Sequence, residues 1–395
     1  MGILVQKYGG SSVADAEKIG AVADKVALAK RAGHDVVVVV SAMGKTTDGL
    51  LELARKVSMD TDAPRRELDM LVSTGERVTM ALLSIALFAR GHDAISFTGS
   101  QSGIITNDRH FDARIIEVRP HRIEDELARG RIVIVAGYQG MSYRREITTL
   151  GRGGSDTTAV ALAAALGAER CEIYSDVDGV YTADPRVVPD AQHVPELDLA
   201  ALSEMAECGA KVLNAQAVEW ARRNKIAIHA RRTGDAHGER GDGSARETVA
   251  KDGAATHVRA VVGLDRVVLL RGDGPRLLEV AAHLSLPLLD VQQAPGGDVT
   301  AVVPLLNLPD WDRVRTELGS KVPALEITTG LALVSVVGDG LLGPTSYVER
   351  FRAILQRLGA APKHLAGSPL RIGAVIESSH LEGAQRALHD AFVAR

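Results

Sequence analysis

Two glycine-rich turns carry the residues best suited to bind anions. Lys7 is followed by Gly9 and Gly10, and Arg152 stands within the turn Gly151–Gly154. Glycines let backbone N–H groups approach an anion closely, and the lysine adds a compact positive charge. An arginine can bind a carboxylate or a phosphate through two parallel hydrogen bonds. Both turns are therefore candidate sites for phosphate or carboxylate groups.

The second turn leads directly into a helix. We expect Ser155 or Asp156 to cap an alanine-rich helix that extends to Leu166, which adds the positive end of a helix dipole to the site. Asp156 is an acceptor that can orient an ammonium group or a metal-bound water. A glycine hinge without a ligand is the alternative, and we favour the anion site. The turn is not a dinucleotide-binding turn, because position 156 is Asp where that motif requires glycine.

The first turn is less specific. Taken alone, Lys7 before a glycine turn is slightly more typical of a surface lysine than of a phosphate ligand. Gly44-Lys45-Thr46 resembles the end of a Walker A loop, but position 39 is Val where that motif requires glycine. We interpret the Walker-like piece as a coincidence.

Polar residues after two further apolar runs are compatible with a ligand or with helix capping. Ser41 and Thr47 follow five consecutive valines, and their hydroxyls suit a polar substrate. Thr47 and Asp48 also suit the cap of a helix beginning near Gly49. Glu76 stands at a loop-to-helix junction, where the helix dipole alone favours an acid. Neither segment decides between these alternatives.

An acidic turn follows the apolar run that ends at Ser175. Asp176 opens a series of Asp residues at alternate positions that resembles a calcium loop but lacks the remaining ligands. Tyr181, in a chain with only 3% aromatic residues, is a candidate contact for adenine or ribose, and a half-buried loop tyrosine is an equal alternative. Lys211 near a helix break is either a second phosphate contact or a solvated charge.

Short apolar runs alternate with helical patterns over the first 230 residues, which predicts a parallel or mostly parallel sheet covered by helices on both faces. The predicted strands are Leu4–Val5, Val36–Val40, Ile132–Ala136, Ile173–Ser175 and Ile226–Ala230, and the predicted helices are Ala16–Lys30, Arg77–Ala89 and Asp198–Arg223. Ligands of such sheets collect at the carboxyl ends of the strands. Most of the candidate residues stand just after an apolar run.

The composition excludes several classes of function. The 395 residues predict two or three domains, and a hydrophobic content of 46% excludes global disorder. A net charge of −4 provides no basic surface for nucleic acid or membrane, and the apolar runs are too short to span a bilayer. Cys171 and Cys208 form no paired motif, and no metal-ligand spacing is present, so we expect no protein-built metal site. We expect a cytoplasmic protein without a signal peptide.

The pattern changes after a glycine-rich, charged stretch near Gly234–Gly253, which we interpret as a linker or exposed loop. Beyond it the order strand-helix-strand-strand-helix-strand occurs twice, which fits two small ferredoxin-like units. The helices predicted there are Pro275–His283, Pro309–Leu318, Tyr347–Leu358 and Leu381–Phe392.

The motifs in their order resemble the aspartate kinases. The matching segments are residues 7–13, 40–43, 73–78, 135–140, 149–156, 174–186 and 209–213. The resemblance implies an amino acid kinase domain over residues 1–235, a linker over 236–257, and two ACT-type domains over 258–330 and 331–395 that can exchange strands. It also implies transfer of the γ-phosphoryl group of ATP to the β-carboxylate of L-aspartate, the first step toward lysine, threonine and methionine.

The resemblance assigns roles residue by residue. It makes Lys7 and Asp156 catalytic. It assigns substrate binding to Ser41, Thr47, Glu76, Tyr138, Arg152, Gly153, Gly154 and Ser155, and nucleotide binding to Lys7, Tyr8, Gly9, Gly10, Ser11, Ser175, Asp176, Tyr181, Arg186, Lys211 and Val212. Magnesium is expected to arrive with ATP, because phosphoryl transfer depends on positioning and charge neutralisation rather than on a protein nucleophile.

The C-terminal third departs from the family pattern. Gln292 matches a glutamine that contacts the effector, but Gly340–Thr345 and Ala361–Leu365 differ from the usual segments. We therefore expect weakened or altered feedback control by an amino-acid effector. Association of the ACT-type domains into a homodimer or a larger homo-oligomer remains expected.

Two other functions compete with aspartate phosphorylation. A kinase for another acidic substrate, such as glutamate or N-acetylglutamate, is one; Glu76 argues against an acetylated amine, which needs no anionic partner. A non-catalytic amino acid sensor is the other, and the joint presence of Lys7, Arg152 and Asp156 argues against it.

Overall fold

The computed structural model describes residues 2–59, 62–210, 213–234, 246–254 and 259–393. The chain divides into two compact units. The first contains Met1–Val180, Val194–Leu202 and Val212–Ala255, and the second contains Tyr181–His193, Ser203–Lys211 and Thr256–Arg395.

The first 254 residues alternate strands and helices. The strands are Ile3–Tyr8 (β1), Asp35–Val40 (β2), Ala94–Phe97 (β3), Ile104–Thr106 (β4), Ile115–Val118 (β5), Ile132–Ala136 (β6), Gln139–Ser142 (β7), Ile147–Thr149 (β8), Arg170–Ser175 (β9), Val180–Tyr181 (β10), His193–Val194 (β11), Glu196–Asp198 (β12), Ile228–Arg232 (β13) and Glu247–Lys251 (β14). The helices are Ala16–Arg31 (α1), Thr46–Val57 (α2), Arg65–Val72 (α3), Thr74–Phe88 (α4), His121–Ala128 (α5), Gly154–Ala165 (α6), Leu199–Glu207 (α7) and Ala215–Asn224 (α8).

The first unit is built on an eight-stranded sheet in the order β12-β14-β13-β9-β1-β2-β6-β3. All ladders from β13 to β3 are parallel, and only the β13–β14 ladder is antiparallel. Strands that are covered on both faces need near-continuous apolar sequence, and the five valines of β2 are all fully buried. The predicted mostly parallel sheet is confirmed.

The register of the sheet brings four strand ends to one edge. Tyr8 pairs with Val40 on one side and with Tyr174 on the other, and Val40 pairs with Ala136. The next residues extend the ladder: the Ser41 N–H donates to the Tyr8 carbonyl at 3.1 Å, and the Gly137 N–H donates to the Val40 carbonyl at 3.0 Å. The residues after β1, β2, β6 and β9 therefore lie side by side.

The helices cover this sheet according to their apolar patterns. Helices α1 and α4 pack on one face of the sheet through Val22 and Val26 of α1 and Leu83 and Leu87 of α4, all fully buried. In α6, every residue from Ala159 to Ala163 is fully buried, and the small side chains let the helix lie close to the sheet. The start of α6 is thereby held near the carboxyl edge of the strands.

Several element boundaries differ from the sequence-based prediction. The predicted linker contains β14, whose Val249 pairs with His229 of β13, so this part of the segment belongs to the sheet. The predicted helix Asp198–Arg223 is two helices, α7 and α8, because Asn214 caps a new helix by accepting the Gln216 N–H. Residues 236–245 and 255–257 of the predicted linker lie outside the described residues.

Helices α3 and α4 adjoin at Ser73. The stretch Arg65–Phe88 is the one helical segment of the described residues that is long and apolar enough, by length and composition, to cross a membrane, and 39% of its most apolar window is buried inside the protein. Leu83 and Leu87 of that stretch lie in the core beside α1.

The second unit contains one six-stranded antiparallel sheet in the order β16-β17-β15-β18-β20-β19, with helices α9 to α12. Its elements are Ala260–Asp273 (β15), Gly274–His283 (α9), Asp290–Gln293 (β16), Asp298–Pro304 (β17), Trp311–Lys321 (α10), Glu326–Val337 (β18), Thr345–Arg357 (α11), His364–Ser368 (β19), Arg371–Glu377 (β20) and Leu381–Phe392 (α12).

Two ferredoxin-like halves share the long strands β15 and β18. The start of β15 pairs with the end of β18, Ala260 opposite Val337, and the later part of β15 pairs with the start of β18, Arg271 opposite Glu326. The second half thus obtains its missing strand from β15. The boundary that we expected between residues 330 and 331 falls inside β18.

The second unit also includes two segments of the first 235 residues. The Thr182 hydroxyl lies 2.9 Å from His389 Nε2 of α12, and the Val261 N–H donates to the Thr182 carbonyl at 2.7 Å. In the other segment, Glu204 lies 3.1 Å from the Arg371 Nε of β20. The residues of the predicted catalytic domain are therefore divided between the two units.

We predict that Gly209→Ala destabilises the second unit. The φ of Gly209 is +111°, and an added Cβ would lie 2.4 Å from the carbonyl oxygen of Gly263. Strain and displacement of this kind should lower the free energy of unfolding by about 2–4 kcal/mol. The measurement is thermal unfolding, with Gly383→Ala as the control, since nothing lies within 4 Å of a Cβ there. Equal melting temperatures for the two variants would contradict the prediction.

Candidate active site

A buried ion pair lies at the carboxyl edge of the sheet. Lys7 is the penultimate residue of β1 and only 8% exposed, and its Nζ lies 2.6 Å from Oδ1 of Asp156 in the first turn of α6. Two charges held this far from water need each other or a ligand. The alternative of a surface lysine is therefore wrong. Lys7 also lies within the strand rather than after it.

Strand alternation explains which side chain enters the site. Gln6 and Tyr8 point to the face opposite Lys7, where the Tyr8 ring stacks on Tyr174 with centroids 4.8 Å apart. Tyr8 is fully buried in the core beneath α1 and α4. Its expected contact with a nucleotide is thus restricted to its backbone.

The glycine turn before α6 leaves the N-terminal end of that helix without a side-chain cap. Gly151 and Gly153 have φ values of +73° and +75°, in the left-handed region that favours glycine. Gly153 is the N-cap and brings no side chain, so the prediction that Ser155 or Asp156 caps the helix is wrong. Both side chains instead lie within the first turn, where they are buried together with the helix's positive end.

Asn214 anchors the glycine turn, a role that was not predicted from the sequence. Its Nδ2 donates to the Arg152 carbonyl at 2.6 Å, while its Oδ1 accepts from the Thr157 hydroxyl at 3.1 Å. The same oxygen caps α8. An asparagine before a helical pattern signals the cap, but no sequence signal reveals the contact across 62 residues. The Arg152 side chain is exposed at this turn.

Glu76 supplies a buried carboxylate just beyond the carboxyl end of β2. Its Oε1 accepts the Ala42 N–H at 3.1 Å, whereas its Oε2 is buried without a hydrogen-bond partner among the described residues. Burial raises the pKa of Glu76 to about 7, against a smaller opposing effect of hydrogen bonds from backbone N–H groups. A helix dipole alone does not explain a carboxylate that is 3% exposed. The open oxygen suits a cationic ligand group.

Ser41 and Thr47 flank in sequence the Ala42 N–H that donates to this carboxylate. Ser41 is half-buried just past β2, and Thr47 is half-buried in the first turn of α2. The helix begins at Thr46, whose hydroxyl donates to the Met43 carbonyl at 2.6 Å. The predicted capping by Thr47 and Asp48 is therefore wrong, and the Thr47 hydroxyl is not used as a cap.

Tyr138 follows β6 and packs against the start of α6. It has a φ of +69°, and its N–H donates to the Thr158 hydroxyl of α6 at 3.2 Å. Burial raises the pKa of its phenol well above the usual range; Glu76 reinforces this effect, whereas a hydrogen bond with Thr149 and the charge of Arg152 oppose it.

The residues expected to bind nucleotide fall into two groups. Gly9, Gly10 and Ser11 follow β1, and Ser175 ends β9, with its hydroxyl 3.2 Å from the Val177 N–H. Asp176 is exposed directly after it.

Tyr181 and Arg186 belong to the second unit. There Tyr181 contacts the His193 ring edge-on and Arg186 pairs with Asp184 at 3.0 Å. Lys211 and Val212 lie outside the described residues.

Thr233 also lies at this edge and was not predicted. Its hydroxyl lies 2.5 Å from the Ser12 hydroxyl and donates to the Ser175 carbonyl at 3.1 Å. It stands immediately after β13, so the rule that placed the other candidates after strand ends could have found it. The contact joins the loops after three strands.

The site thus separates opposite charges along one edge. Lys7, Arg152 and the start of α6 supply positive potential, and Glu76 supplies an open carboxylate. Within the described ranges, no group of three or more His, Cys, Asp or Glu side chains is arranged to hold a metal ion. The arrangement can bind a small molecule with both an ammonium group and carboxylates, next to a phosphorylated ligand.

Comparison with known proteins identifies the class. A model of the amino acid kinase family matches residues 2–231, which include Lys7, Glu76 and Asp156. The chain belongs to this family, whose model covers more than half of it.

Full-length relatives narrow the identification. The aspartokinase of Mycolicibacterium smegmatis is 43% identical over 407 residues, covering 99% of this chain and 96% of its own. That of Corynebacterium glutamicum is 40% identical over 411 residues, with 99% and 96% coverage. Within the family the chain is therefore one of the aspartokinases, and it is an ATP-dependent aspartate kinase.

Solved structures agree with this fold. The structure of E. coli aspartokinase III in complex with aspartate and ADP superposes with a TM-score of 0.85 at 24% identity, covering 98% of this chain and 99% of its own. The aspartate kinase from Synechocystis is 34% identical with a TM-score of 0.56, covering 99% of this chain and 69% of its own.

We predict that Gly137→Ala impairs the site while leaving the fold intact. An added Cβ would lie 2.7 Å from Ser155 Oγ and 2.8 Å from its Cβ, so the start of α6 must move away from the sheet. Displacements of this size at positioning residues can cost about 100-fold in rate. The measurement is kcat/KM for aspartate, with Gly49→Ala as the control, where a Cβ meets nothing within 4 Å. Unchanged kinetics in Gly137→Ala would contradict the prediction.

We predict that aspartate binds more tightly as pH rises through about 7. Only ionised Glu76 attracts an ammonium group, and the raised pKa leaves it mostly protonated below about 7. KM for aspartate should therefore fall up to about tenfold between pH 6 and pH 8. Glu76→Gln should show a high KM without this pH dependence. An unaltered pH profile in that variant would refute the assignment.

Proposed function

We propose that Lys7 and Asp156 form the reaction centre of the kinase. Lys7 would neutralise charge on the transferring γ-phosphoryl group, and Asp156 would hold the Lys7 ammonium in place. The supporting observation is their 2.6 Å contact at the open start of α6, where backbone N–H groups add to the positive potential. No other contact between oppositely charged groups lies at the meeting point of β1 and α6 in the described chain.

The substrate is proposed to lie between Arg152 and Glu76. Arg152 binds a carboxylate, and the open Oε2 of Glu76 accepts from the α-ammonium group. Ser41, Thr47 and Ser155 provide hydroxyl contacts, and the glycines at 153 and 154 let the ligand approach the backbone. The support is the buried, unpartnered carboxylate oxygen of Glu76, for which an ammonium group is a stronger, charge-assisted donor than a neutral amide N–H.

The nucleotide is proposed to bind along the loops after β1 and β9. Gly9, Gly10, Ser11, Ser175 and Asp176 supply this side in the first unit. Tyr181, Arg186, Lys211 and Val212 remain proposed contacts through the family resemblance. An added Cβ at Gly10 would lie 2.9 Å from the Ala42 carbonyl, which supports a tightly folded loop after β1.

The proposed step is a direct transfer. A β-carboxylate oxygen of aspartate forms a bond to the γ-phosphorus of ATP as the bond to the β–γ bridging oxygen breaks, giving 4-phospho-L-aspartate and ADP. The chain contributes orientation and charge neutralisation and needs no protein nucleophile. Magnesium is proposed to arrive on the nucleotide, where it neutralises phosphate charge.

The proposals on regulation and assembly name no individual contacts. A crystallised E. coli aspartokinase III binds lysine and aspartate. By analogy, the second unit of this chain is proposed to bind an amino-acid effector, with weakened or altered feedback control, and to form a homodimer or larger homo-oligomer. A cytoplasmic location is also proposed.

A kinase acting on an acylated amino acid is the second candidate. The open oxygen of Glu76 favours a free ammonium group over it. A substrate panel of L-aspartate, L-glutamate and N-acetyl-L-glutamate decides between the two, and preference for the acylated compound would overturn the proposed placement.

We predict that Lys7→Ala abolishes most phosphoryl transfer. Removing one group that stabilises transition-state charge lowers kcat by about 100- to 1,000-fold. The measurement is formation of aspartyl hydroxamate from ATP, magnesium, aspartate and hydroxylamine. Lys18→Ala, which removes an exposed lysine paired loosely with Asp15 at 3.9 Å, is the control. Full activity of Lys7→Ala would contradict the proposed role of Lys7 in charge neutralisation.

A further inference from the structure

One amide side chain holds both ends of the segment that carries two of the proposed functional groups. Nδ2 of Asn214 donates to the Arg152 carbonyl at 2.6 Å, and its Oδ1 accepts from the hydroxyl of the fully buried Thr157 at 3.1 Å. Asp156, whose Oδ1 lies 2.6 Å from Lys7 Nζ, directly precedes Thr157. Residues 152–157 are thus tied at both ends to Asn214.

This segment needs a restraint from outside itself. Arg152 stands between Gly151 and Gly153, whose φ values are +73° and +75°, and glycine has access to many other conformations. The Gly154 N–H donates to the Gly151 carbonyl at 3.0 Å, which closes the turn, whereas the Arg152 carbonyl receives its hydrogen bond from another element. Asn214 therefore restrains a turn whose glycines permit other arrangements.

Packing reinforces the hydrogen bonds. An added Cβ at Gly153 would lie 2.9 Å from Asn214 Cβ and 3.0 Å from its Nδ2. The asparagine side chain thus lies directly against the backbone of the turn, at the residue that begins α6. Hydrogen bonding and packing restrain the same few residues.

The orientation of the amide is fixed by its partners. Its Oδ1 also accepts the Gln216 N–H at 2.8 Å, which caps α8. A backbone N–H needs an acceptor and a carbonyl needs a donor, so only one orientation of the amide serves both Gln216 and Arg152. Helix α8 is itself held by three fully buried residues, Ala217, Val218 and Ala221. The support of the turn therefore comes from a packed helix.

We propose that Asn214 is a positioning residue that holds Arg152 and Asp156 in the mutual arrangement that phosphoryl transfer requires. The proposal rests on the proposed placement of these two residues at the substrate and at the reaction centre. Asn214 acts through the Arg152 backbone and the Thr157 side chain and need not touch a ligand. Rates are sensitive to such positioning, since a displacement of about 1 Å can lower them about 100-fold.

Asn214→Asp separates positioning from helix capping. An Asp side chain caps a helix as well as Asn does, so the melting temperature should not fall. Its second oxygen would face the Arg152 carbonyl oxygen, with which it cannot form a hydrogen bond. We expect kcat/KM for aspartate to fall about 10- to 100-fold in the hydroxamate assay on the full chain. KM for ATP should stay unchanged, because α8 keeps its cap.

Asn224→Asp is the matched control. Asn224 is the last residue of the same helix, is exposed, and donates from Nδ2 to the Trp220 carbonyl at 2.9 Å, so the same chemical change removes the same kind of bond. A carboxylate at the C-terminal end of a helix opposes the helix dipole, so this variant should be no more stable than the wild type, with wild-type kinetics. Equal losses of kcat/KM in the two variants, or none in Asn214→Asp, would overturn the inference.

A neutral variant separates the lost hydrogen bond from the added charge. Serine is a good helix cap but lacks the N–H₂ group, so Asn214→Ser should also lower kcat/KM for aspartate without a lower melting temperature. Full activity of Asn214→Ser would show that the charge next to Arg152 explains the loss in Asn214→Asp, and would overturn the positioning role.

Failure of this inference is distinguishable from failure of the substrate placement. If Arg152→Ala raises KM for aspartate but both Asn214 variants retain wild-type kinetics, the placement of Arg152 stands and the role of Asn214 is refuted. If Arg152→Ala leaves KM for aspartate unchanged, the substrate placement itself is refuted.

Discussion

The contact between Lys7 and Asp156 is the constraint on which the rest of the site depends. A buried lysine is costly unless an opposite charge is close, and removing one partner of such a pair typically costs about 3–5 kcal/mol. The pair joins β1 to the first turn of α6, so the sheet edge and the start of the helix must be held at a fixed distance from each other. The parallel ladders supply the edge, and the small buried residues of α6 bring the helix to it.

The same edge keeps positive and negative groups apart. In the proposed placement, Lys7, Arg152 and the open helix start face the phosphate and carboxylate groups of the ligands, whereas Glu76 is buried beside the Ala42 N–H. This separation matches an amino acid with an ammonium group at one end and a reacting carboxylate at the other. Positioning and electrostatic stabilisation are sufficient for phosphoryl transfer, which explains why the chain needs no nucleophile of its own.

The sequence predicted the parts of the structure that follow from local patterns. The five valines predicted a buried strand, and the rule that ligands follow strand ends holds for Ser41, whereas Lys7 lies within β1 and Glu76 and Asp156 lie in the first turns of α4 and α6. Asn214 and Thr233 were missed because their roles depend on partners 57 to 221 residues away. The predicted helix caps were wrong because α2 begins at Thr46 and α6 at Gly154, earlier than the polar residues indicated. Strand β14 was missed because its neighbours are rich in glycine and charge.

The central claim is that Lys7 and Asp156 act as one unit in the transfer step. The most direct measurement is a kinetic double-mutant cycle with Lys7→Met, Asp156→Asn and the double variant, at saturating ATP and aspartate. Residues that act as a unit are strongly non-additive, so the double variant should lose no more kcat than the worse single variant. Losses in log kcat that sum across the two sites would show that the residues act independently and would contradict the claim.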